Sequence, residues 1–147
     1  MKTVFDKKDR SELIHRIHSL NENSKAQWGK MNIYQMVKHC TLWEEMMLGK
    51  KRHKRTFIGH LFGKMALKGL IKDESPMMRN APTVPEFKVK ENADFAIEKA
   101  KWIALMEEHE YISNTGIEHP FFGKITIEQI GYLVYKHTDH HLRQFNS

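Results

Sequence analysis

Tyr135-Lys136-His137-Thr138-Asp139-His140-His141-Leu142-Arg143-Gln144-Phe145 places three histidines within five residues, at the end of an apolar-periodic stretch. The stretch opens at Thr126-x-x-Gln129, a capping-box pattern in which two side chains satisfy backbone N–H groups at a helix start. Together they predict a long amphipathic helix running through Arg143, the last of four. His137 and His141 stand one turn apart on it. Ile130 and Val134 share their face, so both imidazoles point toward the core. Histidines at i and i+4 on a helix are a common means of holding a divalent metal.

Working outward from that helix, the remaining periodicity is also helical. A first helix is predicted from Lys8 to Leu20, capped by Asp6 or Asp9, with Leu13, Ile14, Ile17 and Leu20 on its apolar stripe. A second starts at Asn32, where Asn32-x-x-Gln35 repeats the capping-box pattern, and stops at Gly49. Phe57 to Ile71 is also periodic, but Gly59, Gly63 and Gly69 predict a short or broken helix there. Ser75-Pro76 and Ala81-Pro82-Thr83-Val84-Pro85 read as extended connection. A third long helix is expected from Asn92 to Glu110. His119-Pro120-Phe121-Phe122-Gly123 reads as a loop whose aromatics cover the core, and no strand pair is evident. The fold class expected is therefore all-α, a four-helix bundle with a long crossover between its second and third helices, in a single domain spanning residues 1–147.

Composition sets the broad class. A chain of 147 residues, 40% hydrophobic and 29% charged, is long enough for a core and ordinary for a soluble globular protein. It contains no apolar run of the ~20 residues that a transmembrane segment needs. The single Cys40 cannot form an internal disulfide, and Met1 to Asp9 lacks a secretory apolar region; both fit a cytoplasmic location.

Two histidines on one helix make an incomplete metal site. His39 is the candidate third ligand, because Met36 and Trp43 lie on its stripe and facing helices of a bundle can converge on one ion. Three neutral imidazoles would leave coordination positions open, as catalytic sites do. The alternative is chance: ten histidines in this length produce accidental i, i+4 pairs. Gln35, one turn before His39, orients a ligand or merely caps its helix. Trp43 lines a pocket or fills the core. His140 lies about 100° around the helix from His141 and is a surface or supporting group. His119 reads as a loop residue.

Trp28-Gly29-Lys30-Met31, Gln35-Met36-Val37-Lys38-His39-Cys40, His119-Pro120-Phe121-Phe122-Gly123-Lys124 and the His137–Phe145 block resemble, in order, the DinB-like (YfiT-like) superfamily of metal-dependent hydrolases, in a branch of unknown function. The resemblance implies a bundle of up-down-down-up arrangement and a metal triad on the positions of His39, His137 and His141. It further implies hydrolysis or thiol-dependent transfer on a small-molecule substrate, a low-molecular-weight thiol as cosubstrate, and a homodimer. Zinc or nickel suits an all-imidazole site, with iron or manganese as alternatives.

Basicity is concentrated in one segment. Lys50, Lys51, Arg52, Lys54, Arg55, Lys64, Lys68 and Lys72 lie between Gly49 and Lys72 with no acid among them, and outnumber the net charge of +6. A competing expectation follows: a non-catalytic binding protein with a vestigial metal site, whose Lys50, Lys51, Arg52, Lys54 and Arg55 contact an anionic partner, nucleic acid or a membrane surface. No nucleic-acid motif is present, which disfavours the first. The bland account is a solvated crossover packed on the bundle.

Overall fold

The computed structural model describes residues 1–113 and 116–147. Among them the chain forms five α-helices and one two-stranded antiparallel sheet: α1 (Lys7–Ser19), α2 (Ile33–Met47), α3 (Phe57–Leu70), α4 (Phe95–Glu108), β1 (Gly116–His119), β2 (Gly123–Thr126) and α5 (Ile127–Gln144). Short 3-10 turns at Pro85–Phe87 and His109–Tyr111 flank α4.

The caps explain where the helices start. The Asp6 side chain accepts from Asp9 N–H, and Asp94 from Ile97 N–H. Both capping boxes form in full, Asn32 with Gln35 and Thr126 with Gln129. α2 packs on α4 and α5, and α1 packs on the same two helices. Leu13 and Ile17 of α1, Met36, Val37 and Met46 of α2, Trp102 and Met106 of α4, and Ile130, Leu133 and Val134 of α5 fill the space between, all nearly or fully buried. Among the described residues no helix is long and apolar enough to cross a membrane.

Two expectations need correction. The fold is mostly helical as expected, but it is not all-α, because a two-stranded hairpin is added, and its five helices do not establish the four-helix bundle expected from the sequence. The hairpin pairs Gly116 with Thr126, Ile117 with Ile125, Glu118 with Lys124 and His119 with Gly123. Strands of four residues are too short to show a period-2 pattern, and glycines at φ +133° (Gly116) and +80° (Gly123) carry its tight geometry. The second correction is that α3 is unbroken over 14 residues. Gly59 and Gly63 face the Phe121 carbonyl so closely that a side chain at either would collide with it. They are small because the hairpin turn lies against them, not because the helix ends there.

Candidate metal centre

His39 comes from the middle of α2, His137 and His141 from the last turns of α5, and the α2–α5 packing brings them together. All three are buried, and one nitrogen from each lies within 4.8 Å of the others. His39 Nε2 and His137 Nε2 are 3.1 Å apart. The rings of His141 and His39 meet edge to face at 4.8 Å, those of His141 and His137 at 4.6 Å.

The groups behind these rings fix which nitrogen faces the centre. His39 Nδ1–H donates to the Phe87 carbonyl at 2.9 Å, which leaves its Nε2 as a bare acceptor. His141 Nδ1 lies 2.8 Å from Gln144 Oε1, while the Gln144 amide N–H donates to the Trp28 carbonyl at 2.8 Å. Gln144 Oε1 is thereby an acceptor, so His141 also carries its proton on Nδ1 and presents a bare Nε2. This is the way outer groups set the tautomer of ligating histidines. His137 Nε2–H then donates to His39 Nε2, and His137 Nδ1 is buried without a partner among the described residues. The indole of Trp43 stacks on His137 at 4.2 Å and 16°.

Electrostatics keep the set neutral. Burial lowers the pKa of His39, and lowers those of His137 and His141 well below the ordinary 6.5; neighbouring histidines push the same way. Neutral imidazole is the form that binds metal. Cys40, next to His39 in sequence, is fully buried with its thiol pKa raised well above normal, and its sulfur contacts Met36. That is an inert small hydrophobe.

Other expected site residues separate cleanly. Trp43 lines the centre. His140 packs edge-on against His141 at 5.1 Å and Trp28 at 5.6 Å, outside the three-nitrogen set. Gln35 is a cap: its side chain is bonded to Asn32 N–H and the Lys90 carbonyl, not to the histidines. The cationic run is not a uniform patch. Lys50 pairs with Glu108 and Lys51 with Glu45, Arg52 and Lys54 are exposed, and Arg55 turns inward against Gly123.

Sequence reasoning missed Gln144, the Phe87 carbonyl and His119. A glutamine at i+3 from His141 was a readable signal. The other two depend on a 3-10 turn and a hairpin that were not foreseen. His119 is buried, its ring 5.0 Å from that of Trp43, and its pKa is lowered to about 3 by burial and by Arg55 and His53.

A protein-family sequence model described as "Protein of unknown function (DUF1569)" matches residues 2–147. The chain belongs to that family. The resemblance to the DinB-like superfamily is corrected accordingly, since the match over nearly the whole chain is to DUF1569 and nothing in it leads to DinB-like proteins. The thiol cosubstrate, homodimer and up-down-down-up arrangement that the resemblance implied lose their support with it. No curated protein and no solved structure matches the chain.

Proposed function

We propose that His39, His137 and His141 hold one divalent cation and that the chain carries out metal-assisted transfer or hydrolysis on a small molecule. The observation that supports this is a buried set of three bases, two with tautomers fixed so that bare nitrogens face inward, and no acid among them. Zinc or nickel suits such a set better than iron or manganese. A cation there would supply Lewis acidity, polarising a substrate oxygen and acidifying a water. The protein's part is orientation. Gln144 and the Phe87 carbonyl hold two rings, and Trp43 holds the third. His137 must shift the Nε2 proton it shares with His39 to Nδ1, the nitrogen that has no partner among the described residues. The test is metal content by mass spectrometry of tag-free protein beside His137→Ala. About one ion per chain, lost in the variant, is expected for a site with three protein ligands; equal metal in both proteins would defeat the proposal.

A second reading, a non-catalytic binding protein, is favoured by one feature of α3. Phe57 is 77% exposed, Met65 71%, Ile58 61%, Leu61 60% and Phe62 51%, beside the exposed Lys54, Lys64 and Lys68. An apolar face with a basic border suits the surface of an anionic bilayer. Nucleic acid would leave those apolar side chains in water, so the membrane is the partner favoured. Cosedimentation with phosphatidylserine vesicles, absent with phosphatidylcholine alone and lost in Phe57→Ser/Phe62→Ser, is the expected result. No sedimentation at low salt would exclude it.

A further inference from the structure

The basic run and the hairpin meet at a place that the three histidines do not account for. Thr56 N–H donates to the Pro120 carbonyl at 2.9 Å, and Gly59 and Gly63 press the start of α3 onto Phe121. These contacts lay the residues just before α3 along the hairpin. The Arg55 guanidinium therefore rests on Gly123, so close that a Cβ there would strike it, and Gly123 is the cross-strand partner of His119.

His119 is 97% buried by the exposure of 3% that it retains. Its Nδ1 accepts from both Phe121 and Phe122 N–H at 3.1 Å, which leaves the proton on Nε2. That Nε2–H is buried and has no partner among the described residues; the same holds for Arg55 Nε and His53 Nε2. The His53 ring packs on Phe87 at 5.1 Å, the residue whose carbonyl holds His39, and His119 packs on Trp43, which stacks on His137. Arg55 makes no ion pair among the described residues, although Lys50 and Lys51 nearby both do. A partly buried guanidinium with no counter-charge among the described residues is a ready partner for an anion.

We infer that Arg55, His53 and His119 form an anion site beside the three-histidine centre, taking the carboxylate or phosphate group of the substrate. Arg55 supplies the charge and a planar fork. His119 supplies a neutral N–H, since its pKa of about 3 keeps it uncharged at physiological pH. The inference rests on the proposed metal centre for the rest of the substrate, not for the anion itself.

Inorganic phosphate and, in a separate arm, acetate would be titrated into wild type, Arg55→Gln, Arg55→Lys and the exposed control Arg52→Gln, each metal-free and zinc-loaded. The readout is the rise in Tm, because an anion bound to the native state must stabilise it. Wild type and Arg52→Gln should show a saturable rise with at least one anion, and the arm that responds tells phosphate from carboxylate. The affinity should fall about tenfold or more in Arg55→Gln. Arg55→Lys, which keeps the charge and loses the fork, should fall in between and carries the test if Arg55→Gln does not fold. No saturable response to either anion, or an equal response in the Arg55 variants, overturns the site. An Arg55-dependent response in protein that takes up no zinc would fail the metal centre alone. About one zinc per chain with no anion response would fail the anion site alone.

Discussion

Two buried polar clusters share α2 and α5, and they are built on opposite principles. In one, Glu44 Oε2 lies 2.7 Å from His109 Nε2 with both side chains wholly buried, and Thr138 Oγ1–H reaches Glu44 Oε1 at 3.4 Å. An acid meets a base, and the pair ties α2 and α5 to the end of α4. In the other, His39, His137 and His141 bring three bases together with no acid and depress one another's pKa. Buried polar groups are in the main matched to partners, and in the first cluster only His109 Nδ1 lacks one among the described residues. A cluster of like groups that disfavour one another's charge departs from that pattern, and it is the arrangement on which the metal proposal rests.

The largest expected effect separates the two. Glu44→Leu leaves His109 Nε2–H and the Thr138 hydroxyl buried without their acceptor and, at about 1–3 kcal/mol for each group, should cost about 2–4 kcal/mol in the metal-free protein. His137→Leu replaces a neutral, partly unsatisfied ring by an apolar one, and should change stability by no more than about 1 kcal/mol. Urea unfolding monitored by circular dichroism measures both. Comparable losses would mean that the histidine cluster is as structural as the acid–base pair.

Acid sharpens the same contrast at a smaller scale. The folded pKa values of His137 and His141 lie well below 6.5 and that of His119 is about 3, so the unfolded chain takes up protons that the folded chain refuses. Stability is then complete above about pH 6.5 and falls as pH drops toward the folded values. Each histidine held neutral one pH unit below its ordinary value costs about 1.4 kcal/mol. Between pH 7.5 and 5.5 His137 and His141 alone should cost the metal-free protein roughly 2–3 kcal/mol. A double His137→Leu/His141→Leu variant should lose much of that slope; an unchanged slope would place the titration elsewhere.

The two clusters also differ in how far the sequence disclosed them. His137 and His141 were legible because i, i+4 spacing on a capped amphipathic helix fixes their common face, and His39 because Met36 and Trp43 define its stripe. Helix starts at Asp6, Asn32 and Thr126 were legible for the same local reason: a cap is chemistry within four residues. His109, Glu44, His119 and Arg55 were not, since their roles arise from contacts across 65 or 64 residues of chain, as Glu44 with His109 and Thr56 with Pro120. The basic run was open to several readings for a related reason. Charge density along a chain does not say which cations are already paired, and Lys50 and Lys51 are.

The smallest effect concerns the hairpin that sets the histidine centre apart from the acid–base pair. Gly63 and Gly69 occupy the same helix, and composition alone treats them alike. Alanine should favour either helical position by up to about 1 kcal/mol. At Gly69 nothing lies within 4 Å of an added Cβ, so Gly69→Ala should realise a gain of about 0.5 kcal/mol, less than the full figure because the position is in the last turn. At Gly63 the added methyl meets the Phe121 carbonyl, a backbone atom that yields only if the hairpin moves. Overpacking of that kind costs about 1–3 kcal/mol, so Gly63→Ala should come out destabilising by about 1 kcal/mol. The displacement would fall on His119 and Arg55 and not on Glu44 and His109, so weaker phosphate binding should accompany the lower Tm. Should Gly63→Ala stabilise as Gly69→Ala does, the close approach of α3 to the turn would not be holding the hairpin, and the anion site would lose its scaffold.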